Sequence, residues 1–291
     1  MPASTTFLLT ALAMIAFAGN SLLCRLALKD TGIDAAGFTA IRLLSGALTL
    51  WMLVRLRGSV PAGAGTWRSA LALFAYAVFF SYAYVNLSAA TGALLLFGAV
   101  QATMIGYGLW TGERFGLWRS LGLACALAGL VGLLMPGLSA PPLSGSVLML
   151  LAGVAWGVYS LFGRGVVDPL AVTAGNFNRA ALLGIALAIV ALPWLAPDWR
   201  GAWYAILSGA LASGVGYAIW YKALPALRAT SAATIQLSVP VIAAAGGVVL
   251  LGEAISLRLV LASIAVLGGI ALVVLVKEGL PAGDAAHPRA D

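Results

Sequence analysis

Ten apolar runs of about twenty residues follow one another along the chain, joined by loops too short to fold alone. They lie at roughly 5–28, 34–55, 67–87, 89–111, 115–135, 144–164, 170–192, 201–222, 228–250 and 257–276. At ~1.5 Å per residue, a helix of that length crosses a hydrocarbon layer of ~30 Å. Lipid offers no water to the backbone, so a spanning segment satisfies its own N–H and C=O groups as a helix. Barrel strands would read as segments of ~10 residues with every other residue apolar. Only 9% of the residues are charged, against about 25% in soluble domains. The expected fold class is an all-α membrane protein with ten transmembrane helices. The first run has no basic segment before it and exceeds a signal-peptide core in length, so it reads as a span.

The dipeptide Gly-Glu occurs at Gly112-Glu113 and again at Gly252-Glu253, 140 residues further on. Five runs lie between the copies. An odd number of crossings puts the copies on opposite faces of the membrane, which is the mark of an inverted repeat. Other matches keep the same order. Leu117, Leu121, Leu127 and Gly129 fall on Leu257, Leu261, Leu267 and Gly269. Ser21, Leu22 and Arg25 fall on Ser160, Leu161 and Arg164, and Arg42 falls on Arg179. Tyr82-Ala83 can be laid on Tyr217-Ala218, and Ala89 and Ala93 on Ala229 and Ala233. Residues 1–138 are therefore expected to form one five-helix repeat, 139–278 a second and inverted one, and 279–291 a disordered cytoplasmic tail.

Lys and Arg set the orientation. With the N-terminus in the cytoplasm, ten of the sixteen fall on the inner side, four on the outer side, and Arg42 and Arg179 inside spans. Both termini are expected in the cytoplasm, in a bacterial inner (plasma) membrane. The net charge of +7 comes from these loops, so nucleic acid is not expected as a partner. The lone histidine, His287, sits in the tail, and Cys24 and Cys125 stand alone in apolar runs. No metal, other cofactor or histidine-based catalytic triad is expected.

Val239-Pro240 in span 9, then Leu251-Gly252-Glu253, then Gly268-Gly269 in span 10 resemble the drug/metabolite transporter superfamily in its EamA-type, ten-helix branch. The resemblance covers nearly the whole chain. In the first half Val100 stands where the family has the proline and Thr111 where it has the leucine, so the halves are not expected to bend alike. The resemblance implies a secondary transporter, not an enzyme. Its substrates would be small metabolites, and it is most similar to bacterial exporters of amino acids, including aromatic ones. A drug, nucleoside or sugar-derivative transporter shares the same fold. An intramembrane enzyme or a channel is a more distant reading: the clustered acids or histidines of the one and the rings of charge of the other are missing. Its partners would be the solute and the lipid bilayer. Two fused halves contain their own symmetry, so a monomer suffices and a dimer is left open.

In inverted-repeat transporters the solute sits near the midplane, between the halves. In this family spans 1, 3, 4, 6, 8 and 9 would line that cavity. Polar and aromatic residues of those spans are the candidates: Phe17 and Asn20, Phe79 and Tyr82, Gln101, Trp156 and Tyr159, Tyr217, and Gln236. Amides can hold a zwitterion without fixed charge, and ring faces can stack on an aromatic body. Arg42 and Arg179 are possible anion contacts. A buried arginine costs ~2.5–3.5 kcal/mol on insertion scales and needs a partner or a wet cavity. Pro240 is expected to bend or loosen span 9 as a hinge. Glu113 and Glu253 are expected to cap the helices that follow them. Where the small multidrug exporters of the superfamily carry a glutamate in their first helix, this chain has Phe17 and Asn20. Proton coupling through an intramembrane carboxylate is therefore not expected.

Overall fold

The structure is a computed structural model, and it describes residues 2–58, 64–112, 116–137, 140–227 and 229–276. Glu113 and the 279–291 tail with His287 lie outside the described residues. Everything long is helical: α1 (Ala3–Asp30), α2 (Ala35–Leu56), α3 (Trp67–Tyr84), α4 (Ala89–Trp110), α5 (Leu117–Leu134), α6 (Leu143–Phe162) and α7 (Pro169–Val190) each form one span. Span 8 is α8 (Trp199–Leu207), a π-helical stretch (Ser208–Val215) and α9 (Gly216–Ala223). Span 9 is α10 (Ala229–Gln236) and α11 (Ser238–Leu251), and α12 (Leu257–Leu275) is span 10. Among the described residues, nine helical segments are long and apolar enough to cross a membrane. The span left out of that set is α3, whose Arg68, serines and tyrosines dilute it; it packs on α2, α6 and α7 inside the bundle.

Short polar residues in the loops start the helices. Asp34 accepts from Gly37 N, Thr66 from Ser69 N, Ser88 from Thr91 N, Asp168 from Ala171 N and Ser256 from Leu259 N. Each satisfies an amide that the first turn cannot. Apolar side chains cover the outside of the bundle as well as its inside: Ile15, Leu48, Leu182, Val249 and Ile264 are all exposed. That surface suits lipid.

Lipid is as apolar as leucine, so close packing of small residues holds such helices together. A Cβ on Gly122 would lie 2.6 Å from the Gly269 carbonyl, and one on Gly269 would strike the Gly122 carbonyl, so α5 and α12 meet backbone to backbone. Gly153 and Gly157 of α6 lie against Ala99 and Thr103 of α4 in the same four-residue step. The pairing of spans has a pattern: α2 packs on α7, α5 on α12, α6 on α3 and α4, and α1 on span 8 and α11. Exchange each span with the one five places along and that set of pairs is unchanged.

Candidate functional site

Six spans bring their polar and aromatic side chains together in the middle of the bundle. Asn20 of α1 donates to the Tyr76 hydroxyl of α3 at 3.1 Å and accepts from Ser208 of span 8 at 2.7 Å. Arg42 of α2 donates through NH2 to the same Tyr76 hydroxyl at 3.1 Å. Around them the rings form a chain: Tyr76 to Trp156 at 4.7 Å, Trp156 to Tyr217 at 5.6 Å and nearly parallel, Tyr217 to Tyr221 at 6.0 Å and nearly parallel. Phe17 lies 5.6 Å from Tyr217. Each such pair adds about 0.5–1.5 kcal/mol to the burial of its area. Thr173 and Tyr221 share a hydrogen bond at 3.1 Å, and Asn176 points its amide at the Tyr159 hydroxyl at 3.5 Å.

Arg42 is 3% exposed. Its guanidinium carbon stands 5.1 Å from the Tyr76 ring centre and 4.8 Å from that of Phe80. Ring quadrupoles attract such a cation. Its NH1 has no hydrogen-bond partner among the described residues, and no other buried side-chain nitrogen or oxygen there is in that position.

The bundle is tied shut at the end where α1 finishes. Arg25 Nε donates to Glu253 Oε1 at 3.0 Å, and its NH1 donates to the carbonyls of Tyr84 and Val85. Glu253 Oε2 accepts from Ala89 N, the first amide of α4, at 2.7 Å. Side-chain exposure in this pair is 14% and 9%, so little water screens it. Lys29 Nζ reaches the Leu251 carbonyl at 3.1 Å. Just outside, Asp198 accepts from Gly32 N and Asp34 from Ala196 N. The amides of Gly32 and Gly201 hold the Asp198 carboxyl below its usual range. Gly252, at φ 62°, turns the chain so that Glu253 faces back across the bundle. The expected helix cap is therefore not what Glu253 does: Ser256 caps α12, and Glu253 joins α1 to the start of α4.

The opposite end is open. A cleft of about 650 Å³ lies between the first half of α1 and the junction of spans 8 and 9, lined by Thr6, Thr10, Met14, Leu227, Ile235 and Ser238 among others. Of its lining residues Met14 is buried, and along α1 it stands one helical turn before Phe17 and two before Asn20–Ser21.

Residues 143–275 match the family model described as the EamA-like transporter family. Over 288 residues the chain is 59% identical to an uncharacterized protein of Pseudomonas aeruginosa, covering 98% of this chain and 100% of that one. The chain belongs to the EamA-like transporter family. It is also 28% identical over 255 residues to an uncharacterized transporter of Archaeoglobus fulgidus, covering 83% and 87% of the two chains. With an uncharacterized transporter of Bacillus subtilis it shares 24% identity over 166 residues, 54% of this chain and 57% of that one. A solved crystal structure superposes with a TM-score of 0.65 at 20% identity, over 94% of this chain and 98% of the other. That likeness speaks for the fold alone.

In this EamA-like protein the sequence candidates separate into groups. Phe17, Asn20, Trp156, Tyr159, Tyr217 and Arg42 meet in the central cluster. Tyr82 does not: it is 40% exposed and shares a helix face with exposed Leu71 and Val85. Tyr76, six residues earlier, is the α3 tyrosine that turns inward. Phe79 is half-buried at the side of the core, and Phe80 takes the inner position beside Arg42. Gln101 is buried on α4, and Gln236 ends α10; neither joins the hydrogen bonds of the cluster. Arg179, laid on Arg42 by the repeat, is bound instead to the carbonyls of Ala64 and Gly175 at 2.8 and 2.9 Å. Pro240 lies in the first turn of α11, just past the break between Gln236 and Ser238. Its missing N–H frees the carbonyl of Gln236, four residues back. Tyr76, Phe80, Thr173, Asn176, Ser208 and Tyr221 join the cluster without being among the sequence candidates. For Ser208 a signal existed: Ser208-Gly209 and Ser213-Gly214 repeat at five residues, the hydrogen-bonding step of the π-helix that contains them.

Proposed function

We propose that this chain is a secondary transporter that carries small organic solutes, foremost amino acids including aromatic ones, across a bacterial plasma membrane by alternating access. Its two halves, 1–138 and 139–278, act as inverted repeats with both termini in the cytoplasm, and solute passes at their seam. One observation carries this reading: the bundle is latched at one end by Arg25 and Glu253, cleft at the other, and holds a buried polar and aromatic cluster between. A carrier needs a site that reaches one side at a time. An intramembrane enzyme would need an acid, base or nucleophile at the cluster, and the described acids all stand at helix ends. In this reading the structure has its cytoplasmic side open.

The test is counterflow in proteoliposomes. Vesicles are loaded with unlabelled phenylalanine, leucine, threonine or a nucleoside, and uptake of the labelled solute is followed. Saturable, trans-stimulated uptake of at least one amino acid is expected. Unitary currents, or no saturable counterflow of any solute, would overturn the carrier reading. Coupling runs through the solute's own gradient or through exchange, so a proton gradient alone should not drive accumulation.

A further inference from the structure

We propose that Arg42 is the anchor for a carboxylate on the transported solute, and that the site selects a monocarboxylate with a flat apolar body, an amino group being tolerated but not required. This rests on the carrier reading and names the solute class for the same site.

The basic side chains that reach into the bundle differ in how they are satisfied. Arg25 has Glu253 and two carbonyls, Lys29 has the Leu251 carbonyl, and Arg179 has two carbonyls. Arg42 is the most deeply buried of these. It has one neutral hydroxyl and two ring faces, and NH1 is left over. Among the described residues its charge has no carboxylate within ion-pair distance. A buried guanidinium is stable when an anion takes its free N–H groups, and a carboxylate fits that fork with two parallel bonds. NH1 and the rest of NH2 offer that edge. The solute would then complete an ion pair that the protein lacks. Binding would neutralise the site and favour the closed, occluded state through which a carrier must pass.

The surroundings narrow the class. One guanidinium balances one negative charge, so a dianionic phosphate would carry excess charge into the bundle. The surroundings are rings: Tyr76 tilts against Trp156 at 4.7 Å and Trp156 stacks on Tyr217 at 5.6 Å, and a flat apolar body lying on this row, or displacing one ring from it, would be stacked in turn. No described acid belongs to the cluster, and Asn20 Oδ1, which accepts from Ser208, is a neutral acceptor with one lone pair left. An ammonium group would therefore meet only neutral oxygens and ring faces. The carboxylate is the group that the site is built to require.

Binding of four probes to the purified full-length protein, by calorimetry, tests this: L-phenylalanine, 3-phenylpropionate, its neutral amide 3-phenylpropanamide, and phenethylamine. The two carboxylates should bind within tenfold of each other. The amide and the amine should bind at least tenfold more weakly. Arg42→Gln should lower affinity for both carboxylates at least tenfold and leave the other two unchanged, and Arg42→Lys should recover part of the loss. The proposal is overturned if the amide or amine matches the carboxylates, if none of the four binds, or if folded Arg42→Gln keeps wild-type affinity. Should Arg42→Gln fail to fold, the wild-type series and Arg42→Lys still decide. Failure here leaves counterflow intact but indifferent to the carboxylate; failure of the carrier reading abolishes saturable counterflow of every solute.

Discussion

At the scale of single residues, the closed end hangs on few contacts. Glu253 holds Arg25 and the first amide of α4 at once. Glu253→Gln keeps a hydrogen-bonding side chain but removes the charge, which should cost about 1–3 kcal/mol of stability in a site this dry. Opening of that end has a built-in reporter. Cys24 is fully buried one residue before Arg25, while Cys125 is exposed and can be replaced by serine. In a Cys125→Ser background, Glu253→Gln should speed maleimide labelling of Cys24 at least tenfold; unchanged labelling would mean that the pair is not a gate. Asp198 gives a pH prediction. Its folded pKa lies below the ordinary 3.8. Its contribution is therefore complete above that value and is lost as pH falls through the lower folded one. Asp198→Asn should flatten the decline of the melting temperature between about pH 4 and pH 2. The sequence could not show which α3 tyrosine turns inward. Both faces of a lipid-bounded helix are apolar, so the amphipathic signal that sorts faces in water is missing. The repeat marks Tyr82, through Tyr217, and offers no aromatic partner for Tyr76.

At the scale of elements, spans 4 and 9 show how one residue divides two otherwise matched helices. Span 4 has Val100 and runs unbroken from Ala89 to Trp110, while span 9 has Pro240 and splits into α10 and α11. The sequence carried this difference in plain view. The exact break, at Gln236–Ser238, was less visible, because proline frees a carbonyl four residues before itself. If that break is a hinge, Pro240→Ala should let the two pieces join. Counterflow should then slow several-fold while binding changes less than twofold. Equal flux would remove the hinge. Span 8 carries a second irregularity. A Cβ at Gly209 in its π-helical stretch would collide with the Arg42 carbonyl and Ser45 Oγ. Gly209→Ala therefore has to push α2 or span 8 aside, at a cost of about 1–3 kcal/mol, read as a lower melting temperature. The same contact fixes the backbone from which Arg42 reaches Tyr76, so solute affinity should fall with it. A five-residue step of small polar pairs was legible in the sequence, but its meaning depended on a partner helix that only the fold supplies.

At the scale of the whole molecule, the spans pair symmetrically while the two ends do not match. The ten spans and their order were readable because length and apolarity leave a membrane chain few choices. Which end would be shut was not, since a repeat encodes both ends alike. The same repeat makes a prediction for the state not seen. It lays Arg25 on Arg164 and Glu253 on Glu113. Glu113 lies outside the described residues. Arg164 is exposed at the end of α6 and stands over the Tyr107 ring at 5.8 Å. In this state it should contribute little, under about 0.5 kcal/mol for an exposed contact of that kind. A carrier that alternates between states related by the pseudo-twofold of an inverted repeat would use Arg164 when the cleft closes, as it uses Arg25 now. Arg164→Ala should therefore leave the melting temperature within about a degree yet slow counterflow several-fold. Its effect on Cys24 labelling should be opposite in sign to that of Arg25→Ala: slower, because the state that uncovers Cys24 is weakened. If both substitutions move Cys24 labelling the same way, the two arginines do not serve alternate ends. Cysteines placed at 112 and 252 would settle the geometry beneath this, since an impermeant reagent should reach the two from opposite sides of the membrane.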